Sequence, residues 1–344
     1  MLRLRSSLLT PVWLLAMVLP AGAEPKSQAP LSAAVTDPAQ AGPDFTVQGE
    51  YIGVAPYKGK DVKYGVQIIA LGDGKFHGVG YHSGLPGEGW DNKTKLEADG
   101  QTKDGVTVFT RKDSTSTWKN GEVTIVNREG KTLCVFHKVQ RKSPTLGAKP
   151  PVGAVVLFDG TSADKFLGGR MTPDGLLMEG ATSRQKFLSH TAHLEFCIPF
   201  EPAQRGQGRG NSGFYLQGRY EVQILDSFAL TPKNNECGAI YGVAVPEVPM
   251  SFPPLSWQTY DVDFTAAEFK DGKKVKDARV TVRHNGILVL KDVAVPHATT
   301  AAPLPEGPEP GPVYLQNHGN PVRFRNIWVV EKTGPARTAG LWRL

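Results

Sequence analysis

The sequence predicts an all-β protein made of two successive β domains, the second an antiparallel sandwich, and three observations carry that prediction. Glycine and proline are abundant, 38 and 27 of 344 residues, and they punctuate short runs rich in Val, Ile, Thr, Tyr and Phe. Tight-turn dipeptides separate many of those runs, at Asp73-Gly74, Asn120-Gly121, Glu129-Gly130 and Asn285-Gly286. No stretch holds the 3.6-residue periodicity of an amphipathic helix, which argues against a βαβ arrangement. The length exceeds one average domain and suits two, each able to bury a core.

In chain order, residues 1–23 read as an export signal. Arg3 and Arg5 precede an apolar run from Leu8 to Leu19, and Ala21-Gly22-Ala23 offers a small-residue cleavage site. The run falls short of the about 20 apolar residues that span a bilayer. Residues 24–43, rich in Ala, Pro, Gln and Ser, read as a flexible leader. Strands follow at 45–51, 64–71, 75–81, 107–111, 122–127 and 132–138, so residues 44–141 form a small β domain of unassigned role. Its loop from Ser83 to Asp91 sets Trp90 among glycines, and that ring reads first as a plug for the core. Residues 142–153, with Pro144, Pro150 and Pro151, read as a linker. The second domain occupies 154–331, with strands at 176–179, 193–198, 213–217, 220–225, 257–264, 279–284, 287–290, 313–316 and 322–330 and a Pro-rich loop at 299–312. Residues 332–344 are a tail.

The formal charge of +6 falls to +4 without Arg3 and Arg5, and its cations are scattered. Nucleic acid is therefore not an expected partner. Three cysteines, Cys134, Cys197 and Cys237, permit either one disulfide, with Cys197 and Cys237 sharing a domain, or three reduced thiols. Without a Cys-x-x-Cys spacing there is no zinc ribbon or redox motif.

The second domain is organised around the stretch from Arg205 to Asp226. A glycine-dense turn presents two arginines toward the surface, and two strands follow, broken at Gly218-Arg219. In the second strand, alternation sets Tyr220, Val222 and Ile224 on one face and Glu221 with Gln223 on the other. The second face can carry chemistry. Several separated segments are similar to the 3-keto-disaccharide hydrolase family: Leu157-Phe-Asp-Gly-Thr161, His193-Leu-Glu-Phe196, Gly210-Asn-Ser-Gly-Phe-Tyr-Leu216, Tyr220 to Asp226, Trp257-Gln-Thr-Tyr-Asp261, Val282-Arg-His-Asn-Gly286 and Asn317 to Trp328. The resemblance spans about residues 153–331 and leaves the first β domain outside. It implies a concanavalin A-like jelly roll acting on glycosides whose sugar carries a ketone at C3.

Such a ketone acidifies the hydrogen at C2. One general base can remove it, the aglycone leaves from C1, and water adds back. The route needs a base, a proton for the leaving oxygen and a group to hold the enolate oxygen. It does not need the two opposed carboxylates of a retaining glycosidase. In jelly-roll glucanases that pair resembles Glu-x-Asp-x-x-Glu; here the spacing gives Glu221-x-Gln223-x-x-Asp226, and joining its ends requires a bulge. Elimination followed by hydration therefore ranks above direct displacement, with a non-catalytic carbohydrate-binding module as the alternative.

Glu221, His318 and Asp226 are the candidate catalytic residues and, should a divalent metal be involved, its candidate ligands. Expected around the sugar are Asn211, Gln223, Arg219 and Gln316 as polar contacts. Tyr215, Tyr241 and Trp257 are stacking candidates. Arg323 and Arg325 share a strand face that could hold an enolate oxygen, with Phe324, Asn326 and Trp328 expected on the other. His284, beside a hairpin tip, is expected to face solvent, and His193 opens a strand. The expected location is periplasmic or extracellular.

Overall fold

The structure is a computed structural model whose description covers residues 34–332. The all-β prediction holds, with one short α-helix among the described residues, α1 (Gly42–Val47). The export signal, residues 24–33 and most of the tail lie outside the described residues.

The first domain is a closed antiparallel barrel of eight strands in sequential order: β1 (Gly49–Tyr57), β2 (Lys60–Gly72), β3 (Lys75–His82), β4 (Lys95–Lys103), β5 (Val106–Thr110), β6 (Ser114–Lys119), β7 (Glu122–Asn127) and β8 (Thr132–Val139). Pairing of β8 with β1, from Glu50 opposite Val139 to Gly53 opposite Phe136, closes it. Two strands were absent from the sequence reading, β4 and β6. Neither has a buried residue, and apart from Leu96 and Trp118 their inward positions carry small or polar side chains instead of the aliphatic alternation that marks a strand.

The stretch 34–43 is ordered, contrary to a flexible leader. Val35 pairs with Phe200 of the second domain, and Pro43 and Asp44 suit the first turn of α1, which replaces the start of the strand expected from residue 45. Val47 at the helix end is buried in the barrel core with Tyr51, Phe76 and Phe136. The Tyr51 hydroxyl donates to the Val47 carbonyl at 2.6 Å and accepts from Trp118 Nε1 at 2.9 Å. One barrel end is thus closed. Trp90 fills a second small core with Tyr81 and Phe228, as its place among glycines suggests.

The second domain is a two-sheet sandwich. Its strands are β9 (Val155–Phe158), β10 (Phe166–Leu167), β11 (Leu177–Met178), β12 (Ala181–Phe187), β13 (His190–Cys197), β14 (Ser212–Leu216), β15 (Tyr220–Ile224), β16 (Trp257–Thr265), β17 (Glu268–Lys270), β18 (Lys273–Lys276), β19 (Ala278–His284), β20 (Ile287–Val295), β21 (Gly311–Leu315) and β22 (Arg323–Glu331). One sheet runs β10-β12-β21-β14-β15. The other runs β11-β22-β13-β16-β19-β20, with β9 against β22; β17 and β18 form a separate hairpin. Between the sheets lies one apolar core that includes Leu194, Phe196, Phe214, Val222, Tyr260, Val282, Val313 and Phe324.

The linker is a strap. Residues 143–148 lie on the outer face of the larger sheet and bond to it throughout. Ser143 Oγ meets Thr259 Oγ1 at 2.6 Å, Thr145 Oγ1 donates to Asp261 Oδ2 at 2.6 Å, and the Gly147 amide donates to Glu195 Oε1 at 2.6 Å. Beneath it His193 Nδ1 lies 2.6 Å from Asp261 Oδ1, and Arg325 Nε reaches Glu195 Oε2 at 2.7 Å. Burial opposes ionisation here, but the two carboxylates together hold the imidazolium above its ordinary range. Burial would raise Glu195; His193, Asn326, Arg325 and the Gly147 amide overcome it and set that carboxyl at about 2.

A bulge changes the phase of β22. Asn326 is left-handed at φ 46°, and the register against β13 shifts between His193 and Glu195. Arg323 and Arg325 share the outer face as expected, but Asn326 and Trp328 join them instead of Phe324. Asn326 Nδ2 donates to Glu195 Oε1 at 2.8 Å and Trp328 stacks on His193 at 5.1 Å. His284 is buried, not solvent-facing: it lies against Phe196 and Tyr260, Gln258 Oε1 is 2.9 Å from its Nε2, and burial lowers its pKa to about 3. All three cysteines are free thiols, Cys237 Sγ lying 3.1 Å from the Tyr260 hydroxyl.

Replacing Asp261 by Asn should cost about 3–5 kcal/mol, because it strands a charged partner in a buried pair; urea unfolding reads the difference. Glu195 sits below its ordinary 4.5, so its contribution is present above that pH and is lost as pH falls toward about 2. The urea midpoint of wild type should therefore drop faster between those limits than that of Glu195→Gln.

Candidate active site

The hairpin β14–β15 carries the site. Gln217 (φ 54°) and Gly218 (φ 62°), both left-handed, and Arg219 make its turn, closed by the Arg219 amide donating to the Leu216 carbonyl at 3.0 Å. The register sets Tyr215 opposite Glu221 and Gly213 opposite Gln223. Phe214, Leu216, Tyr220, Val222 and Ile224 point into the sandwich core; Gly213, Tyr215, Glu221 and Gln223 take the other face, as alternation predicts.

That face is also covered. Glu221 is 3% exposed, Tyr215 0% and Gln223 1%. Past the edge of β15, the Gln223 amide donates to the Ala239 carbonyl and the Tyr241 amide to the Glu221 carbonyl. On the same edge Thr299 Oγ1 accepts from the Glu221 amide at 3.0 Å. The carboxyl lies over Gly213, where an added Cβ would stand 2.1 Å from Oε1. The Tyr215 hydroxyl is 2.9 Å from Glu221 Oε2 and 3.0 Å from the Thr300 carbonyl, and Gln316 Nε2 donates to that hydroxyl at 3.2 Å. Burial lifts the Glu221 carboxyl to about 8 against the lowering by Tyr215. Burial, and then the neighbouring Glu221, raises the Tyr215 phenol well above its ordinary range, so it remains a donor.

Around this centre Gln223 Nε2 donates to Gln207 Oε1 at 2.9 Å, and Asn211 Nδ2 to the Gln207 carbonyl at 2.7 Å. The loop after β21 is tied at both ends. The Gln316 amide donates to the Gly213 carbonyl, and Asn320 Oδ1 accepts from the Asn211 amide at 3.1 Å. Its tip, Asn317 to Gly319, is exposed, and among the described residues the His318 imidazole makes no hydrogen bond or ion pair.

Six expected residues therefore gather here: Glu221, Tyr215, Gln223, Asn211, Gln316 and Tyr241. Five serve elsewhere. Asp226, past the end of β15, accepts from Arg209 Nε at 2.5 Å in a buried pair, so it neither faces Glu221 nor needs the bulge. Arg209, expected near the surface, is 5% exposed and also donates to the Ala70 carbonyl of the barrel at 3.1 Å. Arg219 anchors the Pro-rich loop, donating to the carbonyls of Pro305 at 2.7 Å and Glu309 at 2.9 Å. Trp257 lies on the other sheet beneath the Arg325 guanidinium at 3.9 Å, and Arg323 pairs with Glu179 at 2.8 Å. Among the described residues no group of three or more His, Cys, Asp or Glu side chains is arranged to hold a metal ion, and Glu221, Asp226 and His318 do not come together as one.

Sequence reasoning missed Tyr314, Gln207 and Gly213. Tyr314 stands 5.4 Å from Tyr215, and its position between the core residues Val313 and Leu315 could have marked it. Nothing local singled out Gln207.

The sequence profile described as a 3-keto-alpha-glucoside-1,2-lyase-like domain matches residues 153–330, which span the sandwich. The chain belongs to this family. It is thus a glycoside-acting enzyme, and the fold agrees with the resemblance seen in the sequence. Two Parabacteroides distasonis structures, provisionally described as glycosyl hydrolases, are similar to it. One is 31% identical over 53% of this chain and 85% of its own, with a TM-score of 0.49. The other is 19% identical over 53% and 94%, with a TM-score of 0.37. Curated proteins give no match.

Glu221 stays protonated in the folded protein up to about pH 8, whereas the unfolded chain releases that proton near the ordinary 4.5. Stability from this group therefore falls as pH rises between those values. Glu221→Gln should equal wild type in urea unfolding at pH 4 and exceed it at pH 8.

Proposed function

We propose that the protein is an exported enzyme that cleaves 3-keto-glycosides by elimination across C1–C2 followed by hydration, with Glu221 as its acid–base group. One observation supports this above all: Glu221 is the only Asp or Glu on the five strands of its sheet. Two opposed carboxyls are what double displacement needs, and the second acid of that pattern, Asp226, is bound to Arg209.

A carboxyl raised to about 8 is a far stronger base than an ordinary carboxylate, and removal of a C–H proton calls for one. As the carboxylate, Glu221 takes the C2 proton and the electron pair passes to the C3 oxygen as an enolate. The enolate then expels the aglycone from C1, and the proton held on Glu221 goes to the leaving oxygen. Water adds to the resulting enone, its hydroxyl at C1 and a proton at C2. Tyr215 and Gln316 are neutral donors beside the carboxyl, suited to the enolate oxygen, since Arg323 and Arg325 pair with acids on the other sheet. The cover over Glu221, to which Thr300 belongs, has to part for the sugar to enter.

In this reading kcat/KM on a methyl 3-keto-α-glucoside should rise with pH through an apparent pKa near 8, and Glu221→Gln should lose about 10²–10⁴-fold. Run in D₂O, the released sugar should carry deuterium at C2. Release without that label would point to displacement at C1. No release by the wild type at any pH would leave a carbohydrate-binding module.

A further inference from the structure

The barrel has an unfilled lumen. At the end closed by α1 its interior is packed with Tyr51, Phe76, Phe109, Phe136 and Trp118. Toward the other end the inward positions shrink to Ala55, Gly78, Gly80, Ala98, Ser114 and Ser116, leaving a cavity of about 500 Å³. An eight-stranded barrel is wide enough either to be filled by side chains or to hold one small ligand. This interior does the first in one half and leaves the second open in the other, at a volume usual for ligand pockets. The period-two lining from nearly every strand shows that the void is the lumen itself, not a surface dent. Its walls are mainly aliphatic and aromatic, Val66, Ile68, Val123, Ile125 and Phe109 among them.

The mouth carries cations among its charges. Arg111 and Lys131 line it alongside Glu97 and Asp113, and Lys112, Arg128 and Glu129 lie in an adjoining groove. The nearby Glu97 carboxylate is taken by Lys95 at 2.5 Å, and Asp113 meets Arg111 only loosely at 3.9 Å. Lys131 has no ion-pair partner among the described residues. A blind apolar tube with positive charge at its opening suits an amphiphile with a single hydrocarbon tail and an anionic head.

We propose that the barrel is a binding site for a fatty-acid-type molecule, its chain in the lumen and its carboxylate at Arg111 and Lys131. The site is separate from Glu221 and stands whether or not the glycoside reading does.

The test uses the full chain and dansylaminoundecanoate, a fluorescent fatty acid, with dodecanoate and dodecanol as competitors. An added Cβ at Gly80 would meet nothing closer than the Leu96 carbonyl at 3.7 Å. Gly80→Leu with Ala98→Leu therefore fills the lumen without forcing the backbone. Wild type should bind the probe saturably and release it to dodecanoate, whereas the filled variant, with an unchanged melting profile, should not bind. Arg111→Ala with Lys131→Ala should weaken dodecanoate about tenfold, near 1.4 kcal/mol, and leave dodecanol unchanged. Cys134 in the lumen wall gives a second readout: dodecanoate should slow its alkylation, followed by peptide mass, in wild type. No saturable probe binding by wild type, or equal binding by the filled variant, would overturn the proposal. Should the filled variant not fold, Cys134 alkylation unaffected by dodecanoate would overturn it equally.

Discussion

A carboxyl in the middle of a strand buried on both sides cannot stay ionised at neutral pH without a cation or several donors beside it. Glu221 has one phenol. Much of the surrounding structure follows from that shortage. Gly213 across the strand leaves the space the carboxyl occupies, Tyr215 opposite it provides the single donor, and the Pro-rich loop closes over the strand edge. The cations nearby in sequence are kept away: Arg219 spends its donors on the carbonyls of that loop, and Arg209 is paired with Asp226. An arginine turned toward Glu221 would lower its pKa and remove its basicity.

The two domains are joined by more than the chain between them. Arg209 and Arg205 donate to barrel carbonyls of Ala70 and Leu71, and Phe228 and Ala229 pack with Ile69 and Val79 on the barrel wall and Leu85 in the loop after β3. The strap from 143 to 148 then covers a buried histidine and two carboxylates whose hydrogen bonds it completes. The glycine-rich turn at 205–210 is therefore a junction, with its arginines in the interface and its far end supporting Asn211 and Gln207 beside the site.

Period-two alternation was legible wherever a strand packs one apolar face: it placed Glu221 and Gln223 opposite Tyr220, Val222 and Ile224, and the Asn-Gly turn fixed β19 against β20. What stayed hidden depends on non-local partners. The bulge at Asn326 is set by pairing with β13; Asn tolerates a positive φ, but its place inside a strand run does not announce one. Arg219, Arg323 and Arg325 have the composition of a ligand clamp, and only the tertiary structure shows that backbone carbonyls and acids already occupy them. Residues 142–153 have the proline content of a spacer, yet their hydroxyls and amides complete a network spread over three strands.

The strands hardest to read carry an argument of their own. Filling the lumen would need large aliphatic side chains at the inward positions of β4 and β6, and those would have produced the alternation that betrays a strand. Ala98, Ser114 and Ser116 stand there instead, and Leu96, also on the lining, is more than half exposed. Their weak signal and the void they line have one cause. A barrel that surrenders this much core to a cavity forgoes hydrophobic stabilisation at about 25 cal/mol per Å², and it remains closed because eight paired strands and a plug of aromatics at one end support the rest. An occupant with a hydrocarbon tail would restore the missing contacts, which is the physical reason to expect one.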